Sequence, residues 1–157
     1  MLYYIFIVVE MSFEELNNIQ ISNYYKNEKR YGGCISKDEV EKLRNNKFYV
    51  LNMDRPTGPG THWVLLFLKR DTAIYFDSFG QPPPERISWF SRRFKNRMRN
   101  IGQIQDITSS SCGWYCLYVA DRLIKGDSYL DIVETFDTRG TTKGMKNNEE
   151  VLKRYFL

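Results

Sequence analysis

Cys112 stands just past the hydroxyl run Thr108-Ser109-Ser110-Ser111 and heads an apolar segment, Trp114 to Ile124, that reads as a buried helix. N–H groups at a helix start have no partner inside the helix, and with the helix dipole they favour a thiolate, the nucleophilic form of cysteine. Cys112 is therefore a candidate nucleophile for acyl transfer. That chemistry needs a base within reach, an acceptor holding the base in one tautomer, and donors for the oxyanion. The chain has one histidine, His62, which opens a strand directly after a glycine-rich loop. Asp77 ends the neighbouring strand, where it can accept from the second imidazole nitrogen. Gln105 is expected at the end of the strand leading to Cys112, and its uncharged amide suits an oxyanion donor. Singly, each has a plainer role: a small core residue, a loop histidine, a turn former, a surface amide. Together, in the order histidine, aspartate, glutamine, cysteine and each at an element boundary, they make a candidate site.

The elements that must position these groups follow from pattern. Ser12-Phe13-Glu14-Glu15 is a capping box that predicts a short helix from Phe13, and 17–31 reads as an irregular connection closing at Gly32-Gly33. A second box, Ser36-Lys37-Asp38-Glu39, predicts a helix to about Asn46. Phe48 to Met53, Trp63 to Leu68 and Thr72 to Phe76 read as strands, the last two antiparallel across the short turn Lys69-Arg70-Asp71. Pro84 suits the first turn of a helix. Ile87, Phe90, Phe94, Met98 and Ile101 recur at helical steps, so that helix is expected to carry a basic stripe, Arg92, Lys95 and Arg99, on its other side. Ile101 to Ile107 is expected to be a strand, Cys112 to Lys125 a helix stopped by Gly126, Ser128 a cap for a helix to Phe136, and Glu149 to Phe156 a last helix. The fold class expected is α+β: a central mixed or antiparallel sheet flanked by helices, within one domain over 1–157.

Composition narrows the function. With 157 residues, 42% hydrophobic, the chain can bury a core without staples. Three cysteines give no even disulfide framework, and a reducing intracellular setting is expected. Cys112 and Cys116, four apart in a helix beside a single histidine, do not suit structural zinc, so no metal and no cofactor are expected. The apolar run Leu2 to Val9 is too short to span a bilayer as a helix, and it lacks a signal peptide's basic start and cleavage site. It is read as an extra edge strand or, preferably, as an extension over 1–11 ahead of a functional start at Met11. A net charge of +4 permits an acidic partner without requiring one.

Gly58-Pro59-Gly60-Thr61-His62-Trp63-Val64, then Tyr75-Phe76-Asp77-Ser78-Phe79-Gly80 with Pro82-Pro83-Pro84, then Gln105 and Cys112-Gly113 together resemble the adenovirus-type maturation proteases. Their relatives in virophages and Maverick/Polinton elements are more similar still, and the clan includes the Ulp-type SUMO proteases. The resemblance covers about Gly32 to Phe136. It implies His62 as general base and acid, Asp77 as its orienting partner, Cys112 as nucleophile, and Gln105 with the Cys112 N–H as the oxyanion hole. In that family the glutamine lies seven residues before the cysteine, as Gln105 does, which prefers it to Gln103. Trp63 is implied to line a narrow groove for glycine near the scissile bond; a core tryptophan is its other reading. The basic stripe is implied to contact DNA phosphates, against the plainer reading of a solvated helix face.

The resemblance thus implies a monomeric cysteine endopeptidase maturing capsid or virion precursor proteins, acting in the infected cell or the virion and away from membranes. Ser111 stands where SUMO proteases usually carry aspartate, which favours the viral branch, and no peptide-binding cysteine is identified. Two alternatives stay open: an isopeptidase removing a ubiquitin-like modifier, and an inactive module binding nucleic acid or a virion protein.

Overall fold

The computed structural model describes residues 13–54 and 62–157. The extension over 1–11, the start at Met11, the cap Ser12 and most of the glycine-rich loop before His62 lie outside the described residues.

Five strands form one mixed sheet in sequential order: β1 (Tyr31–Ser36), β2 (Phe48–Asn52), β3 (Trp63–Lys69), β4 (Thr72–Phe76) and β5 (Asn96–Arg99). The β2–β3 and β3–β4 pairs are antiparallel, and both outer pairs are parallel. The helices are α1 (Asn18–Tyr24), α2 (Glu85–Ser91), α3 (Cys112–Ile124), α4 (Tyr129–Glu134) and α5 (Thr142–Phe156), with a 3-10 turn over Val40–Lys42. The expected α+β class, with a mixed sheet flanked by helices, is what forms.

Strand alternation splits the apolar residues of β3 between two cores. Trp63, Leu65 and Phe67 pack with Phe48, Val50 and Phe76 against α3. Val64, Leu66 and Leu68 pack with Tyr49, Leu51 and Tyr75 against Ile87, Phe90 and Phe94. Covered on both faces, the central strand reads as an unbroken apolar run. Each fully buried Leu or Phe contributes roughly 1.5–3 kcal/mol, so the two cores fix β3 and β4, whose ends carry His62 and Asp77.

Six expectations about the elements are corrected. No helix begins at Phe13, because the carbonyls it would use are taken: Glu14 O accepts from Trp114 Nε1 and Leu16 O from Trp63 Nε1, both at 2.8 Å. The segment read as irregular instead holds α1, opened by an Asn17/Gln20 capping box, and β1. Gly33, at φ 139°, and the register shift beside it hid that strand from a propensity reading.

After β1 the box at Ser36 is half made: Glu39 Oε1 accepts from the Ser36 N–H at 3.0 Å, and only the 3-10 turn follows. The helix from Glu85 ends at Ser91 rather than running to Arg99; Asn96–Arg99 pair with β4, and Met98 and Ile101 are exposed. The 101–107 segment is not a strand. Its Ile104 and Gln105 N–H groups both donate to Ser78 O, at 2.9 and 3.0 Å. The last helix, α5, starts at Thr142, seven residues before the expected Glu149, with Thr141 as its cap.

Candidate active site

His62 is positioned by β3, which it immediately precedes, and Asp77 by the end of β4 on the adjacent strand. The two meet: His62 Nε2 lies 2.6 Å from Asp77 Oδ1. Asp77 is 2% exposed, and its Oδ1 also accepts the Phe79 N–H at 2.8 Å. A carboxylate fixed as acceptor makes Nε2 the donor and leaves Nδ1 for the second proton transfer. That Nδ1 is buried and has no hydrogen-bonding nitrogen or oxygen partner. The side chain it responds to is Cys112: although burial pulls the imidazole pKa down, hydrogen bonding and charge from Asp77 and Cys112 raise it from its ordinary value to about 9. The ring therefore keeps its proton at neutral pH.

Two features hold this pair. Phe79 stacks on the His62 ring, with centroids 4.1 Å apart. Asn100, 3% exposed, grips the Asp77 backbone from both sides, accepting its N–H at 3.0 Å and donating to its carbonyl at 2.6 Å. Gly80, at φ 75°, lets the chain turn against the Gly102 backbone, where a Cβ would collide. The sequence reading missed Asn100, and nothing around it in the sequence marks it out.

Cys112 is the first residue of α3 and 5% exposed. Ser111, in the capping position, makes no side-chain bond to the helix; its Oγ donates instead to Glu149 Oε1 at 2.9 Å. The N–H groups at the head of α3 thus have no side-chain cap, in the arrangement that binds developing negative charge. Gly113 follows because Leu16 and Trp63 lie against it. Cys116, 1% exposed, has its thiol pushed well above the ordinary range, by burial first, and burial pushes Cys34 to about 12. Neither resembles a nucleophile.

Gln105 is fully buried beside the Asp77 turn. Its Oε1 accepts from Ser78 Oγ at 2.6 Å, and its Nε2 donates to Ser109 O at 3.0 Å and Ser109 Oγ at 2.9 Å. Both amide protons thus end on Ser109, and an oxyanion would have to compete with that residue for one of them. Gln103 points elsewhere, donating to Gln105 O at 3.0 Å. Trp63 is 4% exposed, tied to Leu16 and packed beneath the head of α3. Arg92, Lys95 and Arg99 are exposed, but they do not share a helix face: Arg92 ends α2, Lys95 lies in the turn, and Arg99 is on β5.

No protein-family model matches the chain. Among curated proteins it is 28% identical over 143 residues to a cysteine protease of African swine fever virus, and 27% identical over 143 residues to a protein of another isolate named SUMO-1 cysteine protease. Each alignment takes in 80% of this chain and 52% of the relative, so the chain spans about half the length of the curated relatives it matches. Two crystal structures of the African swine fever virus protease share its fold, with TM-scores of 0.59 and 0.52 at 17% and 18% identity. They cover 89% of this chain and 66% and 67% of theirs. The chain is homologous to viral proteins named cysteine proteases, and it has their α+β fold.

Proposed function

We propose that the chain is a cysteine endopeptidase in which Cys112 attacks a peptide carbonyl, His62 moves the protons and Asp77 orients His62. The observation that carries this reading is the half-buried imidazole bonded to Asp77 through Nε2, with its buried and otherwise unpartnered Nδ1 under the influence of Cys112.

The Cys112 sulfur adds to the carbonyl carbon, and the oxygen, now negative, is received at the head of α3 by the Cys112 N–H, with Gln105 as the side-chain donor once Ser109 yields. As the carbon–nitrogen bond breaks, the proton on Nδ1 passes to the leaving amine, and a thioester remains. Neutral His62 then takes a proton from water, whose oxygen adds to the thioester. Collapse releases the acid, and the departing sulfur again faces imidazolium. Throughout, the Nε2–H to Asp77 bond keeps the ring from turning.

The substrate class proposed is capsid or virion precursor polypeptide cut at glycine-containing sites, in the infected cell or the virion. A second reading, removal of a ubiquitin-like modifier, is favoured by the name SUMO-1 cysteine protease borne by one relative. Contact with DNA is proposed through Arg92, Lys95 and Arg99, which are exposed and form no ion pair among the described residues.

The test is Cys112→Ala in the purified chain, assayed on glycine-containing capsid-precursor peptides and on ubiquitin-like conjugates. Cleavage is expected to vanish with the fold intact. Retained cleavage refutes the mechanism, and cleavage of the conjugates alone selects the second reading.

A further inference from the structure

The segment between β5 and α3 bears Gln105 and ends at Cys112, yet it belongs to no sheet or helix. Its two ends are held from one place. Asn148, on α5 and 1% exposed, donates from Nδ2 to Ile104 O at 2.9 Å, and Asp137 fixes its amide on both sides, at 2.8 Å each. The next residue, Glu149, accepts with Oε1 from Ser111 Oγ at 2.9 Å and from Ser109 Oγ at 3.2 Å. Ser109 is also the residue that receives the Gln105 amide. A continuous chain therefore runs from the Gln105 N–H to the Ser109 hydroxyl to Glu149, and the same carboxylate holds the residue before the nucleophile.

We propose that Glu149 is a positioning residue for the proposed reaction, setting through Ser109 and Ser111 where the Gln105 amide and the Cys112 N–H stand. The inference rests on the reading of Cys112 and Gln105 given above. Packing alone does not explain Glu149. Its Oε2 is buried without a hydrogen-bond partner, and an apolar side chain would fill that space at lower cost. Ser109 and Ser111 in turn gain a fixed acceptor, so their hydroxyls point away from the helix head and leave its N–H groups to a substrate. Oxyanion donors act only when held within a fraction of an ångström, which is why a residue outside the site can govern the rate.

Glu149→Ala and Glu149→Gln are compared with the unmutated chain in three measurements: kcat and KM on a fluorogenic glycyl-glycyl-aminocoumarin peptide, the rate at which iodoacetamide alkylates Cys112, and amide hydrogen exchange. Alkylation forms no oxyanion, so it reports the nucleophile alone. For Glu149→Ala, kcat is expected to fall about 10- to 100-fold with KM and alkylation within about twofold, and exchange over 105–111 to quicken while the sheet stays protected. Glu149→Gln, which keeps an acceptor oxygen, is expected to recover part of kcat and most of the protection. Unchanged exchange over 105–111, a kcat that holds or rises, or a parallel fall in alkylation and kcat overturns the proposal. Cleavage that survives Cys112→Ala refutes Cys112 as the nucleophile, an unmutated chain that cuts nothing refutes the peptidase reading, and in either case the exchange data still decide whether Glu149 holds the segment.

Discussion

The ring of Phe79 lies flat on the imidazole of His62, with centroids 4.1 Å apart and planes 10° from parallel. Together with the Nε2 bond to Asp77, this fixes the imidazole in position and plane, and the Phe79 N–H supplies a second donor to the same aspartate oxygen. One residue thus steadies both members of the pair.

Removing the ring while keeping the backbone donor isolates its share. An aromatic pair is worth about 0.5–1.5 kcal/mol beyond burial, so Phe79→Ala is expected to lower kcat/KM about 2- to 10-fold, and Phe79→Tyr to restore it. Steady-state kinetics of both variants checks this; an unaffected Phe79→Ala would show that Asp77 suffices to hold the ring.

The raised imidazole pKa gives a pH signature with a definite sign. His62 must bring a proton to the leaving amine, so kcat/KM is expected to fall as pH rises through about 9. Asp77→Asn removes the carboxylate that raises the value, moving that alkaline limb to lower pH. Stability follows the same group: a folded value above the unfolded one stabilises fully below pH ~6.5, and this is lost as pH climbs through about 9. Thermal midpoints between pH 6 and 10 should decline over that window in the unmutated chain and flatten in Asp77→Asn.

Asn100 couples catalysis to folding. Its side chain satisfies the Asp77 N–H and carbonyl and accepts from Tyr129 Oη at 3.3 Å, all in buried surroundings. Asn100→Ala leaves a buried N–H and carbonyl without these partners, which costs about 2–4 kcal/mol and lowers the thermal midpoint by roughly 5–15 °C. Activity is expected to fall further than stability alone explains, because Asp77 loses its fixed height. Calorimetry alongside kinetics at a temperature where the variant is folded separates the two effects.

The sequence was most readable where local pattern and tertiary demand agreed. The unbroken apolar run of β3, the Cys112 helix head and the His62–Asp77 strand ends all follow from residue type and pattern. It misled where distant groups claimed the backbone. Two tryptophan indoles take the carbonyls at 14 and 16, and the free edge of β4 captures Asn96–Arg99 from a helical-looking run. Asn100 and Glu149 were invisible for the same reason: each acts on a residue more than twenty positions away, with no motif to mark the pairing.

Gly113 brings local and distant constraints together at the nucleophile. A Cβ there would stand 3.1 Å from Leu16 Cβ, 3.2 Å from Leu16 Cδ1 and 3.4 Å from Trp63 Cδ1. Gly113→Ala gains roughly 1 kcal/mol in helix propensity, and overpacking costs about 1–3 kcal/mol. The cost wins here, because the tryptophan indoles pin the 13–16 segment and Leu16 has little room to retreat. The strain falls on the first turn of α3, so Gly113→Ala is expected to lose about 1–2 kcal/mol and at least tenfold in kcat/KM. Trimming Leu16 in the Gly113→Ala, Leu16→Ala double variant should recover activity, because the new methyl then occupies the space that Leu16 vacates. Failure of that rescue, with Gly113→Ala inactive, would place the requirement for glycine in substrate access instead of packing.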